Sequence, residues 1–194
     1  KNDVPAASAD GRIKCSGSSA MAAKADIVLA IDTSGSMRGS RLTAVKKAAI
    51  EQFISKYRGS RMALVTFGET VDIAEPPTHN LSAIESKIRT LFAYGGTTPP
   101  LEMILGSFEL KDFRKSQSPR YLVIFTDGAW CGNREKNIAT AESIKQMGIK
   151  ILTIGCAGAS AEFLQAISSP DCSIITTDSG ISEAFASIAK KTQQ

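Results

Sequence analysis

The stretch Ala25-Asp26-Ile27-Val28-Leu29-Ala30-Ile31 runs directly into Asp32-Thr33-Ser34-Gly35-Ser36. The first half is apolar at successive positions, the pattern of a strand buried on both faces, as in a parallel sheet. The second half places a carboxylate and two spaced hydroxyls where that strand ends. Ser34 and Ser36 lie two apart, so an extended loop can aim both hydroxyls the same way. Two later segments carry matching groups. Gly95-Gly96-Thr97-Thr98 offers a hydroxyl on a flexible turn, and Phe125-Thr126-Asp127-Gly128 offers a second carboxylate at another strand end. All these groups are oxygen donors, and no His or Cys joins them. That is the ligand chemistry of a hard divalent cation, Mg²⁺ first, with Mn²⁺ or Ca²⁺ as alternatives.

Away from this stretch the chain alternates strand and helix patterns. After the first strand, Leu42, Val45, Ala49, Ile50, Phe53, Ile54 and Tyr57 recur at helical spacing, and Ser40 can cap that helix. Strands are read at 62–67 and, short and at an edge, at 70–74. Glu75-Pro76-Pro77-Thr78-His79-Asn80 reads as a turn-rich loop. A helix follows at 82–91. Pro99 and Pro100 suit the start of another, with Leu101, Ile104, Leu105 and Phe108 on its apolar face. Strands at 121–125, 149–154 and 172–176 alternate with helices at 135–147, 160–167 and 181–191, and Gly148 ends the first of these. Such alternation implies right-handed crossovers. The expected fold is a doubly wound, mostly parallel sheet of about six strands with helices on both faces. Ligands of such sheets bind beyond the carboxyl ends of the strands, where Asp32 and Asp127 both fall.

The chain has 194 residues, 43% hydrophobic and 22% charged. That suits one globular domain, read as residues 25–194 behind an irregular Ala/Ser/Gly/Lys-rich leader at 1–24. The net charge of +4 is spread without a basic block, so nucleic acid is not expected as a partner. No apolar run is long enough to span a bilayer. The start, Lys1-Asn2-Asp3-Val4-Pro5, lacks a secretory signal and an initiating Met, so a trimmed form, a mature form or one domain of a longer protein is expected. Cys15, Cys131, Cys156 and Cys172 form no C-x-x-C pair and His79 is the lone His, which argues against a structural zinc site. Free thiols in a reducing cytoplasm are the default expectation. Cys131 and Cys156 both follow strands at one sheet edge, and a link between them depends on geometry that sequence does not give.

The ligand pattern is similar to that of the von Willebrand factor type A domain. The resemblance covers roughly Ala25 to Lys191. Its marker is a metal-ion-dependent adhesion site (MIDAS) of pattern D-x-S-x-S, then a Thr, then an Asp. Asp32, Ser34 and Ser36 match the first part, Thr97 the Thr after a glycine pair, and Asp127 the Asp of the T-D-G turn. Thr98 is the alternative to Thr97. The wording Asp-Thr-Ser-Gly-Ser-Met resembles bacterial and intracellular members rather than integrins. The resemblance implies a Rossmann-like fold and a non-enzymatic domain that binds a protein partner. That partner commonly donates a Glu or Asp to the metal, in some members within a larger assembly.

Trp130 follows the Asp127-Gly128 turn and is either an interface anchor or loop packing. Arg38 and Arg41 flank the first metal loop, where they either steer an acidic partner or are plain solvated charge. Two other functions compete. A phosphoryl-transfer or hydrolase enzyme could use Asp32 as nucleophile. The sequence, however, has no phosphate-binding loop, has Ser34 where dehalogenase-like enzymes usually carry an acid, and has only His79 as a base. A structural subunit could use the metal merely to tie loops together.

Overall fold

The computed structural model describes residues 24–96, 116–128 and 133–193. The order of elements is β1 (Asp26–Asp32), α1 (Ser40–Ala48), β2 (Arg61–Phe67), β3 (Val71–Thr78), α2 (Leu81–Thr90), β4 (Arg120–Thr126), α3 (Arg134–Gln146), β5 (Ile149–Cys156), α4 (Ala161–Ile167), β6 (Ser173–Thr176) and α5 (Ile181–Lys191). The six strands form one sheet in the order β3-β2-β1-β4-β5-β6. All neighbours are parallel except β3, which runs antiparallel to β2 at the edge. The expected mostly parallel α/β fold is the one observed. The expected leader at 1–24, except Lys24, and the helix carrying Leu101 to Phe108 lie outside the described residues.

β1 is the axis of the molecule. All seven of its residues are buried. Ile27, Leu29 and Ile31 face a core shared with Leu42 and Val45 of α1, Ile84 and Ile88 of α2, and Phe185 and Ile188 of α5. Val28 and Ala30 face the opposite core with Ile144 of α3 and Leu164 and Ile167 of α4. Each fully buried aliphatic side chain contributes about 1.5–3 kcal/mol over leaving it in water. A strand apolar on both faces is thus held from both sides, and its end is fixed in space. Phe125 of β4 stacks on Phe185 with ring centroids 5.7 Å apart, tying α5 to the central strands.

Three local readings are corrected. The helical pattern from Ser40 to Tyr57 is not one α-helix. After Ala48 it widens into a π-helical turn at Ala49–Phe53, then tightens into a 3₁₀ turn at Ile54–Lys56. The change of phase lets Phe53, Ile54 and Tyr57 all be fully buried, with the Phe53 and Tyr57 rings 4.7 Å apart. Ser40 is the first residue of α1 rather than its cap. Gly39 enters the helix at φ 82°, a conformation glycine adopts without strain, and no side chain caps the end. Residues 75–78 belong to β3 instead of a loop. Pro76 and Pro77 are tolerated because an edge strand has a side where no donor is needed, and the register against β2 shifts between Met62 and Val65. The later helix signals hold. Asn80, Asn133 and Ser160 cap α2, α3 and α4, and Gly148 follows α3 at φ 74°. Among the described residues no helix is long and apolar enough to cross a membrane.

The start of β1 is clamped by a part-buried ion pair. Arg61 Nε and Nη2 donate to Asp26 Oδ1 and Oδ2 at 3.0 and 2.8 Å. Burial opposes the charge on Asp26. The paired bonds from Arg61, with help from Ser116, outweigh it and hold the carboxyl below its usual range. A depressed carboxylate pKa stabilises the fold above the unfolded-state value, and that contribution is lost as pH falls through the folded value. Asp26→Asn is therefore expected to cost about 1.5–3 kcal/mol near neutral pH. In denaturant melts the gap from the native chain should close as pH falls below the ordinary carboxylate range. A gap independent of pH would contradict the ion-pair account.

Candidate metal site

The strand order places β1 between β2, its immediate successor, and β4, which the chain reaches only after returning from the far edge. A crevice outside the carboxyl ends of two such strands is where ligands bind in open α/β sheets. The β1–β4 register pairs Ile31 with Phe125, so Asp32 and Thr126 come next, side by side. Thr126 Oγ1 donates to Asp32 Oδ2 at 2.7 Å. The chain then turns, and the Ser34 amide donates to Asp32 Oδ1 at 2.8 Å. This brings the hydroxyls round. Ser34 Oγ and Ser36 Oγ are 3.1 Å apart, and Ser36 Oγ donates to Asp127 Oδ1 at 2.8 Å. Asp32, Ser34, Ser36 and Asp127 are thus brought together from two strand ends. Thr97, its alternative Thr98, and Trp130 lie outside the described residues.

The electrostatics are those of a site short of positive charge. Asp32 is fully buried, and its carboxyl is pushed above the usual range, first by desolvation and further by the nearby charge of Asp127. Hydrogen bonds from Ser34 and Thr126 oppose the rise without cancelling it. A raised carboxyl pKa favours folding below the unfolded-state value. Ionised Asp32 therefore costs stability as pH rises toward neutrality, and a bound cation would offset that cost. Asp127 already has a cation on its outer oxygen. Arg41 Nη1 donates to Asp127 Oδ2 and, at 3.0 Å, to the Ser36 carbonyl. Arg41 Nε and Nη2 reach Asp178 Oδ1 and Oδ2 at 2.9 and 3.2 Å. Two serine hydroxyls and an Asp127 oxygen clustered beside a buried carboxylate form the oxygen-only set that a hard divalent cation takes.

Backbone contacts hold the loops. Thr33 N donates to Phe67 O at 2.7 Å, Tyr94 N to Thr33 O at 2.9 Å, and Gly35 N to Gly95 O at 3.2 Å. A Cβ on Gly35 would meet the Gly95 carbonyl at 2.8 Å, and Gly95 itself has φ 73° against the Glu69 side chain. Glycine is required at both positions, one for close approach and one for conformation.

Several residues sit otherwise than expected or were not singled out. Arg41 turns inward to Asp127 and Asp178 rather than outward to steer a partner. Arg38 is exposed, with Nε 3.4 Å from the Ala93 carbonyl. Thr126 and Asp178 were missed. The rule of carboxyl strand ends could have found both, since Thr126 ends β4 and Asp178 follows β6 closely. His79 is exposed at the end of β3, which antiparallel pairing carries to the amino end of β2, away from the site. Cys156 is fully buried, and desolvation pushes its thiol up to about 12. Its suggested partner Cys131 lies outside the described residues.

The model of the von Willebrand factor type A domain matches residues 26–189. The chain belongs to this family. Solved structures agree on the fold. Proximal thread matrix protein 1 from the mussel byssus shares 19% identity at a TM-score of 0.74, over 89% of this chain and 47% of that one. This chain thus spans about half of the mussel protein. The vWF domain of the type V pili tip protein Mfa5 from Porphyromonas gingivalis shares 15% identity at 0.73, over 89% of this chain and 96% of that one. The manganese-loaded TRAP protein of Plasmodium vivax shares 16% identity at 0.63, over 87% and 74%. The mussel protein has also been solved with zinc in its MIDAS motif. A sequence search among curated proteins returns no match. Domains of this family often serve as metal-dependent protein-interaction modules.

Gly35→Ala tests the loop geometry. The added methyl meets a backbone oxygen that cannot swing aside. The expected cost is about 1–3 kcal/mol, read as a fall in Tm of roughly 2–10 °C. An unchanged Tm would mean that the two loops do not touch.

Proposed function

We propose that this chain is a Mg²⁺-dependent protein-interaction domain whose metal is held by Asp32, Ser34, Ser36, Thr97 and Asp127. The supporting observation is the cluster that joins Asp32, Ser34, Ser36 and Asp127 at the β1–β4 switch point. When bound, the cation supplies an electrophilic position that attracts an external carboxylate, because its hydroxyl ligands are neutral. Ser34 and Ser36 orient their oxygens from the loop. Asp32, held by Thr126 and the Ser34 amide, supplies buried negative charge. Asp127 is kept in place by Arg41, which neutralises its outer oxygen and leaves the inner one to the site. The partner is a protein that presents an Asp or Glu, in some settings within a larger assembly.

A purely loop-ordering metal fits less well, since three backbone hydrogen bonds already tie the 33–35, 67 and 94–95 segments. An enzyme fits less well too, because His79 lies at the far end of the sheet and Asp32 is enclosed by donors.

The test is thermal melting with and without Mg²⁺. At about 100 times Kd a ligand adds roughly 2.7 kcal/mol, so Tm should rise by roughly 5–10 °C in the native chain. Asp32→Ala should remove the rise while remaining folded. An equal rise in Asp32→Ala, or none in the native chain, would refute the assignment.

A further inference from the structure

Beside the metal loop lies a surface that the metal reading does not use. Phe92 is 69% exposed and Tyr94 40% exposed, unusual for large aromatic side chains. Their rings lie 5.3 Å apart, a tilted pair facing outward on the segment that leads to Gly95. The pair borders a groove of about 260 Å³ whose walls include Thr33, Thr66, Ala74, Lys87 and Leu91. The groove is joined to the metal loop through Thr33, which stands between Asp32 and Ser34 and accepts the Tyr94 amide at 2.9 Å. A rigid tie of this kind fixes the aromatic pair relative to the site.

The groove lining itself carries positive charge. Lys87 lines the groove, and no carboxylate does among the described residues. Arg38 reaches the Ala93 carbonyl, and Lys46 Nζ donates to the Arg89 carbonyl at 3.1 Å, so Arg38, Lys46, Lys87 and Arg89 surround the 87–94 segment. Two acids border the region: Glu69 packs against Gly95 on the metal-loop side, and Asp72 stands opposite Thr66 in the β2–β3 register. Aromatic anchors with cations along the α2 side complement an acidic segment that also carries an apolar side chain.

We infer that Phe92, Tyr94 and the adjoining groove form a second contact for the partner segment whose carboxylate meets the metal. The occupant is an extended acidic segment with a large apolar residue one to three positions from its metal-binding Asp or Glu. The inference rests on the metal-dependent reading and adds sequence preference to it. The metal selects the carboxylate, the aromatic pair selects its neighbour, and the basic rim steers the approach.

The experiment uses fluorescein-labelled Gly/Ser peptides with one central aspartate, in which leucine, phenylalanine, serine or lysine is scanned through three positions on each side. Binding is followed by fluorescence polarisation in saturating Mg²⁺ and in EDTA. The native chain should bind the best apolar peptide about tenfold more tightly than its serine counterpart, with the gain seen only in Mg²⁺. Phe92→Ser/Tyr94→Ser, both exposed and so not expected to unfold the chain, should flatten this dependence. A circular-dichroism melt checks its folding, and Lys87→Glu supplies a second variant that should weaken all acidic peptides. A gain below twofold in the native chain, or a full gain in the double variant, overturns the aromatic contact and leaves the metal reading standing. Peptides that bind no better in Mg²⁺ than in EDTA overturn the metal reading and the inference with it.

Discussion

Two carboxylates at the ends of adjacent buried strands must be neutralised, and most of the carboxyl edge is organised by that need. Asp32 and Asp127 are there because β1 and β4 pair in register, and β1 is fixed because it is apolar on both faces. The fold meets part of the electrostatic cost with hydrogen bonds from Thr126 and the Ser34 amide to Asp32, and from Ser36 and Arg41 to Asp127. What remains is a fully buried Asp32 whose carboxyl is pushed up by desolvation. A divalent cation beside the two serine hydroxyls would complete the neutralisation. The same burial that holds the strands therefore creates the demand for the ligand.

The Arg41–Asp178 pair extends this logic outward. Arg41 divides its donors between Asp127 and Asp178, so the turn after β6 is bonded, through one guanidinium, to the end of β4. A planar guanidinium suits this bridging role because it can serve two carboxylates at once. Arg41 thus belongs to the architecture of the site, and the exposed basic residues that could meet a partner, Arg38, Lys87 and Arg89, lie on the other side of the loop.

Much of this was legible in the sequence because the signals were strong and local. The double-faced apolar run of β1 forced a parallel sheet, and the oxygen-only residues after it pointed to a hard cation. Asp127 could be joined to Asp32 across 94 intervening positions because both follow strands. The reading failed where tertiary packing overrides local preference. Pro76 and Pro77 look like a loop, yet an edge strand tolerates them. Phe53, Ile54 and Tyr57 fit a plain α-helix, yet burying all three needs a wider turn. Arg41 looked like surface charge, because nothing local reveals that Asp178, 137 residues away, would turn it inward. Phe92 and Tyr94 gave no sequence signal, since an exposed aromatic is recognised only once the surface is known.

The central claim is that one divalent cation sits among Asp32, Ser34, Ser36 and Asp127. Crystals grown with Mn²⁺ in place of Mg²⁺ and measured near the manganese edge would test it most directly. The account predicts one strong anomalous peak at the β1–β4 edge, about 2 Å from the Ser34 and Ser36 hydroxyl oxygens. An edge with no peak in well-occupied Mn²⁺ crystals, or a peak that sits elsewhere on the molecule, would contradict it.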